Sequence, residues 1–368
     1  MTTHFTLRCM LAMLVLLLSS QALAARFTWT NLAQPAASNL NAVASSANRL
    51  VAVGDSGVIL TSSDARQWQS VPSGSTPTLV DVAYGDSQFV AVGGDGSVLF
   101  SDASAQTWNA ATLPMEIEGA NLFSVVYHAP RWLITGVIPD PLDPTNSPQL
   151  VAASADLQSW DVLILQQDFP SISNLIAGSG VVVGTGSASD IALPVPFPLS
   201  TTNGVEWNSA QSVWASDAAF DGSRFVVSGM DQGSATVSTS VNGSNWSELR
   251  FPELGDAVRL LTMGAGAPGY LVMASDAESV FWYSSDDLQT WQLELVDNVM
   301  LDMVAWRDNW VGVGFDIDRE NAGILIGEPV PGVPTLSLAG LLILLLLLPL
   351  AVLLSRRFVR QDSNVASR

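Results

Sequence analysis

The sequence predicts an all-β chain: a seven-bladed β-propeller closed by an N-terminal strand, plus one C-terminal transmembrane helix. Three observations predict it. One unit of about 40 residues recurs along the chain, each unit ends on a tryptophan, and the final unit lacks a strand that the N-terminus can supply. The unit is clearest where "NAVASSANRLVAVGDSGVILTSSDARQW" (41–68) is set against "VDVAYGDSQFVAVGGDGSVLFSDASAQTW" (80–108). Both run apolar strand, turn, "VAVG", tight turn, strand, Ser/Thr-Asp turn, Trp. The second strand recurs as "LVAVG" (50–54), "FVAVG" (89–93), "WLITG" (132–136), "FVVSG" (225–229) and "WVGVG" (310–314). The closing residues Trp68, Trp108, Trp160, Trp207, Trp246 and Trp291 lie 39 to 52 residues apart, a spacing that suits one four-stranded sheet per unit.

The seventh unit supplies three strands, "LDMVAWRDN", "WVGVGFDID" and "AGILIGEP", and then runs into a Pro-Gly linker without a tryptophan. "RFTWT" fills the vacancy. Trp29 stands 39 residues before Trp68, and the interval from Trp29 to Val43 equals that from Trp68 to Val82. The N-terminal segment is therefore expected to be the outer strand of the last blade, beside residues 323–328. That closure removes open sheet edges and ties the two ends of a cysteine-free domain together.

The turn before each tryptophan has its own chemistry. Four residues ahead stand Asp64, Ser104, Asp156, Asn203, Asn242 and Asp287. Asp and Asn accept hydrogen bonds from their own backbone two residues on and tolerate a left-handed φ, which suits a tight turn between third and fourth strands. These segments resemble the Asp-box, or bacterial neuraminidase repeat, S-x-D-x-G-x-T-W. "SSDDLQTW" (284–291) carries Ser284, Asp286, Thr290 and Trp291 in place, and "SDASAQTW" keeps Ser101, Thr107 and Trp108 with its acid at Asp102. The resemblance implies a sialidase-like propeller fold, with the box as a folding element on the face opposite the usual ligand site. It does not imply sialidase activity.

Residues 1–24 read as a signal peptide: Arg8, the apolar run "CMLAMLVLLL", and the small residues "ALA" before Ala25. The propeller is expected over 25–329, a linker and sorting motif over 330–335, a transmembrane helix over 336–354 and a basic cytoplasmic tail over 355–368, with Arg356, Arg357 and Arg360 setting the orientation. Val333, Pro334, Thr335 and Leu336, followed by the apolar run and the basic end, resemble the IPTL-type C-terminal sorting signal of Gram-negative bacteria. That resemblance implies an exosortase-like processing enzyme. The exported domain would first be anchored in the inner membrane, outside the cytoplasm, and reach the cell surface after tail processing.

Composition narrows the chemistry. The chain has 34 acidic and 14 basic residues, the basic ones all arginine, for a net charge of −20. Such a surface disfavours nucleic acid. Beyond the leader there is no cysteine, no lysine and a single histidine, His128 in "VVYHAPRW". Disulfides and lysine Schiff bases are excluded, a serine or cysteine nucleophile would have to use His128 as its base, and a multi-histidine metal site is not available. His128 is read as a turn residue, and no catalytic residue is assigned. Arg49, Arg131 and Arg224 each precede a second strand, at first-to-second-strand turns away from the expected ligand rim, so they are not read as a sialidase-type arginine triad.

Acids cluster instead in the turns between second and third strands: Asp55, Asp95, Asp140, Asp143, Asp190, Asp231, Asp276, Asp316 and Asp318. A propeller gathers these turns on one rim. They are ordinary hairpin residues, and calcium, which prefers oxygen ligands, is the one cofactor they admit. Two adjacent units carry proline-rich insertions there, "IPDPLDPTNSPQ" (138–149) and "SASDIALPVPFPL" (187–199), as binding loops of low ordering cost would. The candidate ligand rim comprises Asp140, Asp143, Asp190, Leu193, Val195 and Phe197, the last three as exposed apolar contacts. The expected function is a non-catalytic cell-surface binding or adhesion propeller, its ligand a glycan, an envelope component or a protein. Two alternatives remain open: a carbohydrate-active hydrolase or lyase using rim carboxylates, and an assembly factor for a membrane complex, as some Asp-box propellers are.

Overall fold

The computed structural model of the chain describes residues 26–331 apart from 34, 36–37, 141, 143–146, 166–170, 188–195, 211–212, 232–233, 252–258, 276–278, 295, 297 and 317–321. The predicted signal peptide, sorting motif, transmembrane helix and tail lie outside the described residues. Among the described residues no helix is long and apolar enough to cross a membrane. The chain divides into two units, Met1–Pro329 and Val330–Arg368, and the first holds all the secondary structure described here.

That unit consists of seven four-stranded antiparallel sheets, one per sequence repeat. We number the blades 1 to 7 and their strands a to d from the inside outward. The a strands are Leu40–Ser45, Leu79–Gly85, Asn121–His128, Ser171–Gly178, Asp217–Phe220, Arg259–Gly266 and Asn298–Trp306. In blades 1 to 6 the four strands pair in chain order. In blade 7, strands a to c come from the C-terminal end of the domain and strand d is Phe27–Leu32.

The register shows that Trp29 belongs where the sequence places it. Leu32 pairs with Ile324, and Trp29, three residues earlier, faces Gly327. In blade 1, Val71 pairs with Ile59 and Trp68 likewise stands three residues earlier. The two tryptophans are therefore equivalent positions, but their partners differ. Trp68, Trp207 and Trp246 donate their indole N–H to the carbonyl of Ala65, Gly204 and Gly243 in their own c–d turns (2.9, 3.3 and 3.0 Å). Strand d of blade 7 has no such turn before it, so Trp29 Nε1 donates instead to Glu294 Oε2 of blade 6 at 3.3 Å. The same carboxylate accepts the backbone N–H groups of Arg26 (3.0 Å) and Phe27 (3.3 Å) and the hydroxyl of Ser284 (2.5 Å). Burial pushes the Glu294 carboxyl up, and these four donors oppose the shift. Ion pairs Arg26–Asp286 and Arg66–Glu328 fasten the closing blade to blades 6 and 1.

The core lies between blades. Buried residues fall into clusters that each straddle two neighbouring sheets: Leu40, Leu50 and Leu60 with Trp306, Val311 and Ile324 at the 7–1 junction, and Val126, Leu133 and Leu165 with Leu175, Val182 and Phe197 at the 3–4 junction. The b strands are covered on both faces, which is why "LVAVG" reads as an unbroken apolar run: Leu50, Val51, Ala52 and Val53 are all fully buried. No single blade has a core of its own, so stability accrues through the inter-blade junctions.

The glycine ending that run has a packing reason. A Cβ on Gly54, Gly93, Gly229 or Gly314 would lie 1.9, 2.0, 2.1 or 2.0 Å from the carbonyl oxygen of Asn39, Thr78, Trp214 or Val299, each just before or at the start of strand a of the same blade. The close approach lets the b–c turn bond to that segment, as Asp55 N–H does to Asn39 O (2.9 Å) and Gly94 N–H to Thr78 O (3.0 Å).

The c–d turns use the expected side chains with one difference. Oδ1 of Asp64, Asp156, Asn203, Asn242 and Asp287 accepts the N–H groups two and three residues on, as in Arg66 (2.9 Å) and Gln67 (2.7 Å) for Asp64. In blade 2 a hydroxyl does this work, Ser104 Oγ accepting Gln106 N–H at 3.4 Å, while Asp102 stands where Ser62, Ser154 and Ser285 stand in other blades and accepts Ser104 N–H at 2.9 Å. The left-handed φ falls on the next residue, not on the Asp or Asn: Ala65, Ala105, Leu157, Gly204, Gly243 and Leu288. The side chain holds the turn, and its successor absorbs the strain. The N–H groups of Gln67 and Ser159 lead the donors that hold Asp64 and Asp156 below the usual carboxylate range. A depressed folded-state pKa adds stability above about pH 4 that is lost as pH falls through the folded value. Asp64→Ala is expected to cost about 1 kcal/mol and Asp64→Asn almost nothing, since asparagine does the same work in blades 4 and 5; melting curves at pH 7 check both.

Candidate functional site

The sequence-predicted rim is only partly described. Asp143, Asp190, Leu193 and Val195 lie outside the described residues. Asp140 closes its own loop: its N–H donates to Ser147 Oγ (3.3 Å) and its Oδ1 accepts Leu142 N–H (2.8 Å). Asp55 accepts the side-chain amides of Asn39 (3.0 Å) and Asn41 (3.2 Å), which is turn chemistry of the same kind. Phe197 requires a correction. It was expected as an exposed contact, but it is 3% exposed and packs in the core between blades 3 and 4. The reason is register. Strand b of blade 4 runs to Ser187 and strand c begins at Pro196, so Phe197 already faces Gly186 across the ladder. Among the described residues no three Asp, Glu or His side chains converge closely enough to hold a metal ion.

Arg49, Arg131 and Arg224 stand at or beside the a–b turns, as read. Arg131 pairs with Asp161. Arg224 Nε pairs with Asp221 at 3.0 Å, and its Nη2 donates to Tyr270 Oη at 2.9 Å. Tyr270 Oη in turn donates to Asp221 Oδ2 at 2.6 Å, and these contacts outweigh partial burial to hold the Asp221 carboxyl far below its usual range. His128 Nε2 lies 3.2 Å from Thr202 O, beside its turn.

The a strands enclose a central cavity of about 370 Å³. It extends from a tier near the start of these strands to their last residues beside the a–b turns, where Tyr84, Tyr127 and Phe220 line it. Tyr127 and Phe220 sit on glycines of the preceding blade: a Cβ on Gly85 would meet the Tyr127 ring at 2.3 Å, and one on Gly178 the Phe220 ring at 2.4 Å. The tier at the other end is polar. Most a strands carry a register shift two residues in, between Leu79 and Asp81, Leu122 and Ser124, Ile172 and Asn174, Leu260 and Thr262, and Met300 and Asp302. A bulge re-aims the residue that follows it. The residues so placed, with Asp217 opening strand a of blade 5, are Asp81, Ser124, Asn174, Asp217, Thr262 and Asp302; blade 1 has Ala42.

Each carboxylate in this tier joins its blade to a neighbour. Asp81 Oδ2 accepts Ser124 Oγ–H (2.7 Å) and Val125 N–H (2.8 Å) of blade 3. Ser124 Oγ accepts Leu175 N–H of blade 4 at 3.0 Å. Asp217 accepts the Asn174 amide of blade 4 (2.6 Å) and Met263 N–H of blade 6 (2.8 Å). Asp302 Oδ2 accepts Val43 N–H of blade 1 at 2.8 Å, across the seam where the ring closes. Burial pushes Asp81 and Asp217 up to about 6 against these hydrogen bonds. Burial again leads for Asp302, and the charges of Asp81 and Asp217 help carry it to about 8.

Sequence reasoning missed this tier, although a signal was present. "VDVAYG", "FSVVYH", "SNLIAG", "SDAAFD", "LTMGAG" and "LDMVAW" all place a polar residue second, ahead of a mostly apolar run. Aligning the repeats on that position would have exposed a polar ring.

No family model matches the sequence, and no curated protein matches it either. Solved structures are similar in fold. YCF48 from Cyanidioschyzon merolae superposes with a TM-score of 0.59 at 13% identity, covering 83% of this chain and 99% of that one. A structure of YCF48 bound to D1 peptide gives 0.56 at 15% identity, covering 83% and 98%. The uncomplexed Pyrococcus horikoshii acylaminoacyl peptidase gives 0.54 at 10% identity over 75% of this chain, which spans about half (49%) of that chain. At these identities the likeness is one of fold alone.

Proposed function

We propose that this chain is a non-catalytic binding propeller presented outside the cytoplasm, and that its ligand is a segment of polypeptide. The observation that carries the reading is the likeness, over most of both chains, to a propeller whose structure holds a bound peptide. It favours a protein ligand over a glycan. The shortage of nucleophile and base chemistry supports a binding role: past the leader the sequence offers one histidine and neither cysteine nor lysine. The N-terminal leader and the apolar C-terminal run support export with a membrane tether, followed by tail removal by an exosortase-like enzyme in the IPTL manner. Such a tether would hold the ring near membrane proteins, which suits a part in assembling a membrane complex. The contact surface is proposed at the b–c rim of blades 3 and 4, where the two long insertions emerge.

Two arrays test this with the full-length chain, one of peptides from exported and membrane proteins and one of glycans. Peptide binding is expected, with loss of at least tenfold in affinity on deleting 188–195 and no change in melting temperature. Glycan binding without peptide binding would overturn the ligand assignment, and unchanged peptide binding in the deletion would overturn the rim.

A further inference from the structure

The polar tier does more than line a cavity. Its side chains link blade 2 to 3, 3 to 4, 4 to 5 and 5 to 6, and Asp302 reaches from blade 7 to blade 1, where Trp306 Nε1 also donates to Ser46 O at 3.0 Å. Every partner these three carboxyls have is a donor: backbone N–H, the Ser124 hydroxyl or the Asn174 amide. Nothing of opposite charge faces them. Of the a strands around the cavity, blade 1 contributes no titratable lining residue, blade 2 Asp81 and Tyr84, blade 3 Tyr127, blade 4 none, blade 5 Asp217, blade 6 none and blade 7 Asp302. Among the described lining residues there is no lysine, arginine or histidine. Three like charges lining one cavity are costly, and Asp302 carries that cost to a bond across the closing seam.

We propose that Asp302, with Asp81 and Asp217, makes the ring's closing seam sensitive to protons: the seam is tight while Asp302 is neutral and loosens when all three carboxyls ionise. A neutral Asp302 still accepts Val43 N–H through its carbonyl oxygen and no longer repels the other two. A charged Asp302 keeps that bond but is repelled by the charges of Asp81 and Asp217. The sign follows from linkage. A carboxyl whose folded value is raised holds its proton in the native state at pH values where the unfolded chain has released it. The contribution of these three groups is therefore full below about pH 4 and is lost as pH rises through about 6 and on to about 8. The c–d turn acids act in the opposite sense, but only below about pH 4, so the two effects occupy separate windows.

The test is hydrogen exchange on the full-length chain between pH 6 and pH 9, corrected for intrinsic rates, following the peptide that holds Leu40–Ser45. Its protection is expected to fall about tenfold while that of Gln149–Ser154, in strand c of blade 3, stays constant. Asp302→Asn mimics the neutral acid and is expected to flatten the response at Leu40–Ser45. Equal changes in both segments, or an Asp302→Asn protein that keeps the wild-type slope, would overturn the proposal. If that variant does not fold, the wild-type comparison of the two segments decides alone. None of these readouts depends on ligand binding, so they stand or fall apart from the proposed function.

Discussion

A chain lacking residues 26–32 is expected to lose cooperative unfolding altogether, and Trp29→Ala to lower the melting temperature by about 4 °C. The deletion removes all six residue pairs that strand d of blade 7 makes with 324–329. It uncovers Ile324 and Ile326, now fully buried, and strips three of four donors from the Glu294 carboxylate, which is 3% exposed. Deleting a large buried aromatic costs about 3–5 kcal/mol, and each buried polar group left unpaired about 1–3 kcal/mol. Phe27, Trp29 and the stranded carboxylate together approach the roughly 5–15 kcal/mol that holds a typical domain folded. Trp29 is half-buried, so Trp29→Ala is expected to cost about half of that aromatic range, about 2 kcal/mol, and about 2 °C per kcal/mol is usual for a domain of this size. Tryptophan fluorescence melts of both proteins measure the effect. A deletion mutant with a sharp, unshifted transition would mean that the ring does not depend on its first strand.

Gly93→Ala is expected to destabilise the protein by about 3 kcal/mol, although alanine is ordinarily the milder residue in a strand. The added methyl would lie 2.0 Å from Thr78 O and 2.9 Å from Leu79 Cα, both backbone atoms that no rotamer change can move aside. Relief requires the b–c turn to lift, which breaks the Gly94 N–H to Thr78 O bond (3.0 Å). Gly74→Ala makes the control. Gly74 has φ +72° and nothing within 4 Å of its would-be Cβ, so only the left-handed backbone penalty of about 1 kcal/mol applies. Denaturant unfolding of the two variants separates the effects. Gly93 itself has an extended φ of −175°, so equal midpoints would show that the close approach costs no more than a left-handed turn and does not explain the repeated glycine.

The features legible in the sequence were those that the repeat states many times. Blade number, strand order and the place of Trp29 follow from spacing alone, because each blade uses the same ladder and the same turn. Features that occur once were not legible. Phe197 follows Leu-Pro-Val-Pro, which reads as loop, yet strand c begins one residue before it. Glu294 reads as a surface acid on an outer strand and is buried only because the N-terminus folds over it. Asp81, Asp217 and Asp302 were hidden for another reason. A lone polar residue in an apolar strand passes for ordinary alternation, and the bulge that turns Asp81 and Asp302 toward the channel is a backbone event without a residue signature of its own.

The donated first strand also constrains how the molecule is made. Arg26 and its acceptor Glu294 are 268 residues apart, so the opening segment is synthesised long before its docking place exists. Until then the other sheets can assemble one after another, but the circle stays open, and its closure is the slow, entropically costly step of folding. During that interval the unpaired rim of the last sheet is available to the leading segment of any neighbouring molecule. Crowded chains therefore have a built-in route to exchanging their first strands and emerging as interlocked pairs.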